Sequence, residues 1–238
     1  ATGNNTQLLE GHTAPVWCVC LSPDGHLVCT AADDATLRVW RRTPGVIDDV
    51  CVTSPATRWV YGYNPGRRAG VCVTSDSRKL VFSSFDHSLQ VWDIFSDERP
   101  VSILGHSDVI CRISPLPCNR VVSASYDGSL MLWRLDAEVI YEAHMRGHSG
   151  AVRTCEVTPD HRFVVSASSD RTIRIWDLSD GSLLRTLTGH SAAVNLLSIC
   201  PRGDLLVSVA DDSEIIVWSI SRGQSLCRLQ ADTQLTSC

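Results

Sequence analysis

Residues 166–177 read SASSDRTIRIWD. Asp170 stands six residues before Trp176, and Ser166 stands four before Asp170. The run TIRIWDL alternates apolar and polar side chains with period two, the signature of a strand buried on one face. Working outward, Asp six residues before Trp recurs at Asp34/Trp40, Asp86/Trp92, Asp127/Trp133 and Asp212/Trp218. Successive Trp residues are 52, 41, 43 and 42 apart. Four of the five Asp residues follow a Gly-His dipeptide (Gly11-His12, Gly105-His106, Gly147-His148, Gly189-His190), with 21 or 22 residues from His to Asp. A period near 42 residues outranks any single motif, because it implies one structural unit built five times.

Each unit reads as strands. In residues 151–188, AVRTCEVT, RFVVSAS, TIRIWDL and SLLRTL are β-prone runs. They are separated by turn signals at Pro159-Asp160-His161, Ser169-Asp170-Arg171 and Asp180-Gly181. No window keeps a 3.6-residue apolar period. Four short antiparallel strands make a small twisted sheet that cannot bury both faces alone, so neighbouring copies must stack.

Composition permits this and excludes other classes. The 238 residues are 44% hydrophobic, enough for a sizeable core. No apolar run approaches the roughly 20 residues of a membrane helix, and no signal peptide is visible. A net charge of −5 argues against nucleic acid or an anionic membrane as main partner. The eleven cysteines form no CxxC pair, and several lie in apolar runs (Cys18, Cys20, Cys72, Cys111, Cys155). They read as small buried hydrophobes in a reducing compartment, cytoplasmic or nuclear. No P-loop, HExxH or dinucleotide glycine motif is present, so neither cofactor nor metal is expected.

Gly-His followed some 28 residues later by a Trp-Asp ending resembles the WD-repeat family of β-propellers. Trp92-Asp93 and Trp176-Asp177 are literal matches; Trp40-Arg41, Trp133-Arg134 and Trp218-Ser219 keep only the Trp. The resemblance covers about residues 6–230. It implies an all-β fold of five four-stranded antiparallel blades, with repeats at about 6–52, 53–98, 99–137, 138–180 and 181–222. Residues 223–238 then begin a further repeat or form a tail. Outer-strand signals occur six times, from TQLL before Gly11 to SLCRL at 225–229. Seven blades are usual in the resembled family. Together with an Ala rather than Met at position 1, this predicts an incomplete part of a larger propeller. The alternative is a closed five-bladed ring completed by the N-terminal strand.

The family also implies a hydrogen-bonded chain from Trp through Ser or Thr and His to Asp. The matching sets are Trp40, Thr30, His12, Asp34; Trp133, Ser123, His106, Asp127; Trp176, Ser166, His148, Asp170; and Trp218, Ser208, His190, Asp212. Ser, His and Asp also make a hydrolase triad, and GHSGA at 147–151 approaches G-x-S-x-G without its last Gly. An enzyme needs one activated nucleophile, whereas four equivalent sets have the distribution of a structural device. No catalytic residue is therefore expected. Repeat two departs, with Phe82 at the Ser position and Asn64 near the His position, so Trp92 and Asp86 are expected to rely on apolar packing. An insertion within 41–63, with Arg41, Arg42, Arg58 and Trp59 around it, precedes that repeat.

In similar proteins one propeller face presents the residue before the turn Asp and the residue five after the Gly-His histidine. Here the first set is Asp33, Phe85, Tyr126, Ser169 and Asp211. The second is Trp17, Cys111, Arg153 and Asn195, with Ala69 in repeat two. Trp17, Phe85 and Tyr126 would form an aromatic anchor of the kind that dominates interfaces, with Asp33, Arg153, Asn195 and Asp211 orienting a peptide. Packing of Trp17 and Phe85 into the channel wall is the competing reading. The expected function is a non-catalytic protein-interaction scaffold. A substrate-recruiting ubiquitin-ligase subunit ranks second. Some ligase-linked relatives carry Trp-Asp-x-Arg/Lys, and here Leu178-Ser179 and Ile94-Phe95 follow the two Trp-Asp pairs. An RNA-binding propeller ranks third.

Overall fold

The computed structural model describes residues 8–50 and 70–230, except 33, 35, 44, 45, 85, 97 and 137. At Trp17, Thr43 and 46–50 it describes the backbone only. The described residues form twenty strands and no helix. Sheet one is β1 (Val16–Leu21), β2 (Leu27–Ala32), β3 (Leu37–Thr43) and β4 (Val46–Val50). Sheet two is β5 (Val71–Val73), β6 (Lys79–Ser83), β7 (Leu89–Asp93) and β8 (Val101–Ile103). Sheet three is β9 (Ile110–Leu116), β10 (Arg120–Ser125), β11 (Ser129–Leu135) and β12 (Val139–Arg146). Sheet four is β13 (Val152–Val157), β14 (Phe163–Ser168), β15 (Thr172–Asp177) and β16 (Leu183–Thr188). Sheet five is β17 (Val194–Ile199), β18 (Leu205–Ala210), β19 (Glu214–Ser219) and β20 (Gln224–Gln230). Every sheet is an antiparallel meander in chain order. TQLL before Gly11, Asn64 and most of the 41–63 insertion lie wholly or partly outside the described residues.

The turns between second and third strands need one residue in the left-handed region. His87 (φ 67°), Gly128 (φ 83°), Arg171 (φ 69°) and Ser213 (φ 61°) supply it. The preceding Asp satisfies the turn: Oδ1 of Asp127 and of Asp170 accepts the N–H two residues on, from Ser129 and Thr172.

The core lies between sheets. From the second sheet on, the Trp of the third strand packs back on the sheet before it. Trp92 joins Leu27, Leu37 and Val39; Trp133 joins Val81, Leu89 and Val91; Trp176 joins Leu130, Leu132 and Met145; Trp218 joins Ile173, Ile175 and Leu187. Truncating one such indole costs about 3–5 kcal/mol. The inner strands β1, β5, β9, β13 and β17 pack in that order, each against the next. No contact of comparable extent joins β17 back to β1 among the described residues, so the row of blades is open rather than a closed five-bladed ring.

The four longer inner strands carry a bulge at one equivalent point. Pairing with the second strand skips Trp17, Cys111, Arg153 and Asn195. A bulge leaves the extra residue unpaired and re-aims its side chain. These are the four positions that stand five residues after each Gly-His histidine.

Candidate functional site

Two arrangements combine polar side chains with repeated geometry: a buried chain inside each blade and a cluster at the bulges. In blade four, Trp176 Nε1–H donates to Ser166 Oγ at 2.8 Å. The Ser hydroxyl is 2.8 Å from His148 Nε2, and His148 Nδ1 is 2.8 Å from Asp170 Oδ2. With the proton on Nδ1, every group finds a partner: Trp to Ser, Ser to His, His to Asp. The same chain links Trp40, Thr30, His12 and Asp34. It links Trp133, Ser123, His106 and Asp127, and Trp218, Ser208, His190 and Asp212. Each Asp Oδ2 also accepts the backbone N–H that follows its His, from Thr13, Ser107, Ser149 and Ser191. The carboxylate thereby ties the Gly-His loop to the turn before the Trp strand.

The Gly of Gly-His is required by close approach at Gly105, where a Cβ would lie 2.6 Å from the buried Trp133 ring. Gly147 adopts φ 156°, and a Cβ there would press on the Arg174 guanidinium and touch the Trp176 ring. Arg174 in turn lies over that indole, 6.0 Å from its centroid.

Burial alone would raise the Asp pKa values, but hydrogen bonds overcome it. At Asp34 the donors Thr36, Thr13 and His12 bring the carboxyl down to about 2. At Asp170, Thr172 and His148 do the same, also to about 2. Asp127 and Asp212 shift in the same direction. Burial depresses His148 below the ordinary imidazole value, against the opposing pull of Asp170.

The Ser-His-Asp geometry does not expose a nucleophile. Ser123, Ser166 and Ser208 have no solvent exposure, and each Oγ already accepts an indole N–H. A metal fares no better at His190, Asp212 and Glu214, whose ligand atoms lie within 4.8 Å of one another. His190 Nδ1 faces Asp212 and Nε2 faces Ser208, so both imidazole nitrogens are committed within the blade.

Repeat two lacks the chain. Phe82 and Trp92 are both buried and share the apolar cluster between sheets one and two. Asp86 instead serves its own turn, accepting the Ser88 N–H at 3.0 Å.

At the bulges the structure brings together three of the proposed face residues. Arg153 Nε donates to Ser169 Oγ at 2.7 Å, and its guanidinium lies 5.8 Å from the Tyr126 ring centroid. One repeat on, Asn195 Nδ2 donates to Asp211 Oδ1. Cys111 turns inward instead, its thiol donating to the carbonyls of Ala124 and Val152. Asp33, Phe85 and the Trp17 side chain lie outside the described residues, as does Ala69. A residue with no mark in the repeat pattern also stands here: Arg112, exposed on inner strand β9. Its equivalents Cys18, Thr154 and Leu196 are uncharged, and that contrast is the only sequence signal it leaves.

Comparison with known proteins decides the family. The model described as WD domain, G-beta repeat matches residues 3–41, 98–134, 140–177 and 181–219. The chain belongs to the WD-repeat family. The matched segments contain the four complete WD-repeat chains and pass over repeat two, where Phe82 replaces the hydroxyl. Among relatives, the nuclear distribution protein nudF of Emericella nidulans is 29% identical over 77% of this chain and 44% of its own length. The COMPASS component SWD3 of Saccharomyces cerevisiae is 25% identical over 75% of this chain and 56% of its own. Human apoptotic protease-activating factor 1 is 25% identical over 73% of this chain and 13% of its own. The WD repeats described here thus span about half or less of these relatives.

Proposed function

We propose that this chain is a non-catalytic protein-interaction scaffold. Its blades hold surfaces still, and a peptide or protein docks on the face where the bulged residues emerge. The observation that carries this reading is the cluster of Tyr126, Arg153 and Ser169, drawn from two blades and held half-exposed by a hydrogen bond and a cation–π contact. Aromatic and Arg side chains on a rigid support are what interface anchors are made of. The buried, committed Ser-His chains support a structural role for these triad-like groups. A relative whose name makes it a component of an assembly fits the same class. The described cysteines are all free, and no described helix is long and apolar enough to cross a membrane. A reducing compartment, cytoplasmic or nuclear, follows as part of the proposal.

The test is quantitative capture from cell extract by the wild-type chain and by Phe85→Ala/Tyr126→Ala. Loss of the specifically captured proteins by a double variant with unchanged circular dichroism is expected. Undiminished capture by that folded variant would refute the assignment of this face.

A further inference from the structure

The five inner strands carry three charged residues among them: Arg112, Arg153 and Glu156. Glu156 reaches toward sheet five, where its carboxylate accepts the Ile199 N–H at 3.1 Å. Burial there pushes its pKa up, against the pull of the Ile199 N–H and of Arg112. Among the described residues no carboxylate pairs with either arginine; the ion pairs involve Arg78, Arg120, Arg134 and Arg228 instead. Asp108 accepts the Val109 N–H, and Asp211 accepts from Asn195.

The two arginines share one neighbourhood. Cys111, the residue before Arg112, donates its thiol to the carbonyl of Val152, the residue before Arg153, at 3.0 Å. That bond stitches β9 to β13 beside both. Burial drives the Cys111 pKa up, and both guanidiniums pull against it. Arg153 has committed Nε to Ser169, and its terminal nitrogens have no acceptor among the described residues. The inner strands thus carry two arginines against one carboxyl group that burial holds toward its neutral form, in a chain whose net charge is −5.

Resting on the scaffold reading above, we propose that the docking partner is an acidic protein segment, one of whose Asp or Glu carboxylates seats between Arg112 and Arg153 beside the Tyr126 ring. A guanidinium offers a planar fork of donors that matches a carboxylate, and charge-assisted bonds of this kind are about twice as strong as neutral ones. Positive charge framed by an acidic exterior also steers an acidic segment to this site and away from the rest of the surface.

The experiment uses the full 238-residue chain and fluorescein-labelled peptides of alternating Gly and Glu, Gly and Gln, or Gly and phosphoserine, read by fluorescence anisotropy. The Glu peptide is expected to bind, more weakly as salt rises, and the Gln peptide is not. Arg112→Gln and Arg153→Gln should each weaken binding about tenfold, the double variant should abolish it, and Arg185→Gln on outer strand β16 should leave it unchanged. Equal binding by wild type and a folded double variant overturns the proposal. So does binding of the phosphoserine peptide with none of the Glu peptide. If Phe85→Ala/Tyr126→Ala loses the captured proteins while the Glu peptide never binds, the docking face stands and the acidic partner falls. If the Glu peptide binds through the arginines while capture ignores those aromatics, the acidic site stands and the aromatic anchor falls.

Discussion

Ser166 serves two partners with one oxygen: it accepts from the Trp176 indole and lies within donating distance of His148 Nε2. Replacing it with Ala strands a buried N–H and a buried ring nitrogen, with no water able to reach either. The expected cost is about 1–3 kcal/mol. Chemical denaturation should show it as a lower midpoint at constant slope, and an unchanged midpoint would count against the network. The same chain sets a pH dependence. Folded His148 and the Asp residues bind fewer protons than in the unfolded chain, so stability rises with pH at both groups. The His148 share is complete above the ordinary imidazole value of about 6.5 and fades as pH falls below it. The shares of Asp34 and Asp170 are complete above about 3.9 and are lost as pH falls toward about 2. Thermal midpoints should therefore decline in two stages on acidification, the first near neutral pH and the second below the ordinary carboxylate range. A flat profile between neutral and mildly acidic pH would rule out a neutral, committed His148.

Among the elements, sheet two stands apart. It lacks the hydroxyl, and among the described residues its Asp86 bonds within its own turn, while its first and last strands are three residues each. Fewer ladder bonds and no hydroxyl to link a loop to the Trp mean a lower local opening energy. Amide hydrogen exchange should be faster in β5–β8 than in β13–β16, and equal protection would show that packing of Phe82 and Trp92 suffices. The four strands of residues 151–188 were legible because the turn signals and the period-two alternation coincide there. The Trp, Ser, His and Asp partners were legible only through the family resemblance, since 18 and 22 residues separate His148 from Ser166 and Asp170. The bulges were not legible. A bulge is a mismatch between two strands, and neither strand alone records it. Cys111 shows the consequence. Spacing places it with Arg153 and Asn195, yet its side chain turns into the sheet junction because a thiol is better buried than a guanidinium or an amide. Arg112 escaped because a single charge on an alternating strand looks like any solvent-facing position until its neighbours are known.

The described residues form a row of sheets in which, from the second on, each front face, carrying the Trp, sits in the back face of the sheet before it; in the first sheet Trp40 is itself buried, and the exposed front-face positions lie on β1. The equivalent positions show what the two ends of the row lack. Ile113 and Cys155, opposite Ser123 and Ser166 in register, are 3% and 0% exposed, whereas Val19, opposite Thr30, is 64% exposed. At the other end Leu229, opposite Ile215, is 54% exposed, whereas Leu187, opposite Ile173, is 2% exposed. Leu21 adds 66% exposure beside Val19. Inside the row these positions bury about 1.5–3 kcal/mol of apolar side chain each. The first and last faces therefore present two halves of an interface that the chain already makes four times. Such paired, complementary, head-to-tail surfaces generate open association rather than closed dimers. Light scattering on the purified chain should show mass rising with concentration. Val19→Lys with Leu229→Lys places a charge in each half and should return the chain to monomer without lowering its thermal midpoint, because neither side chain is buried within the chain. A wild-type chain that stays monomeric at every concentration would mean that these faces are shielded, and the stacking of equivalent blades would then not extend beyond the fifth.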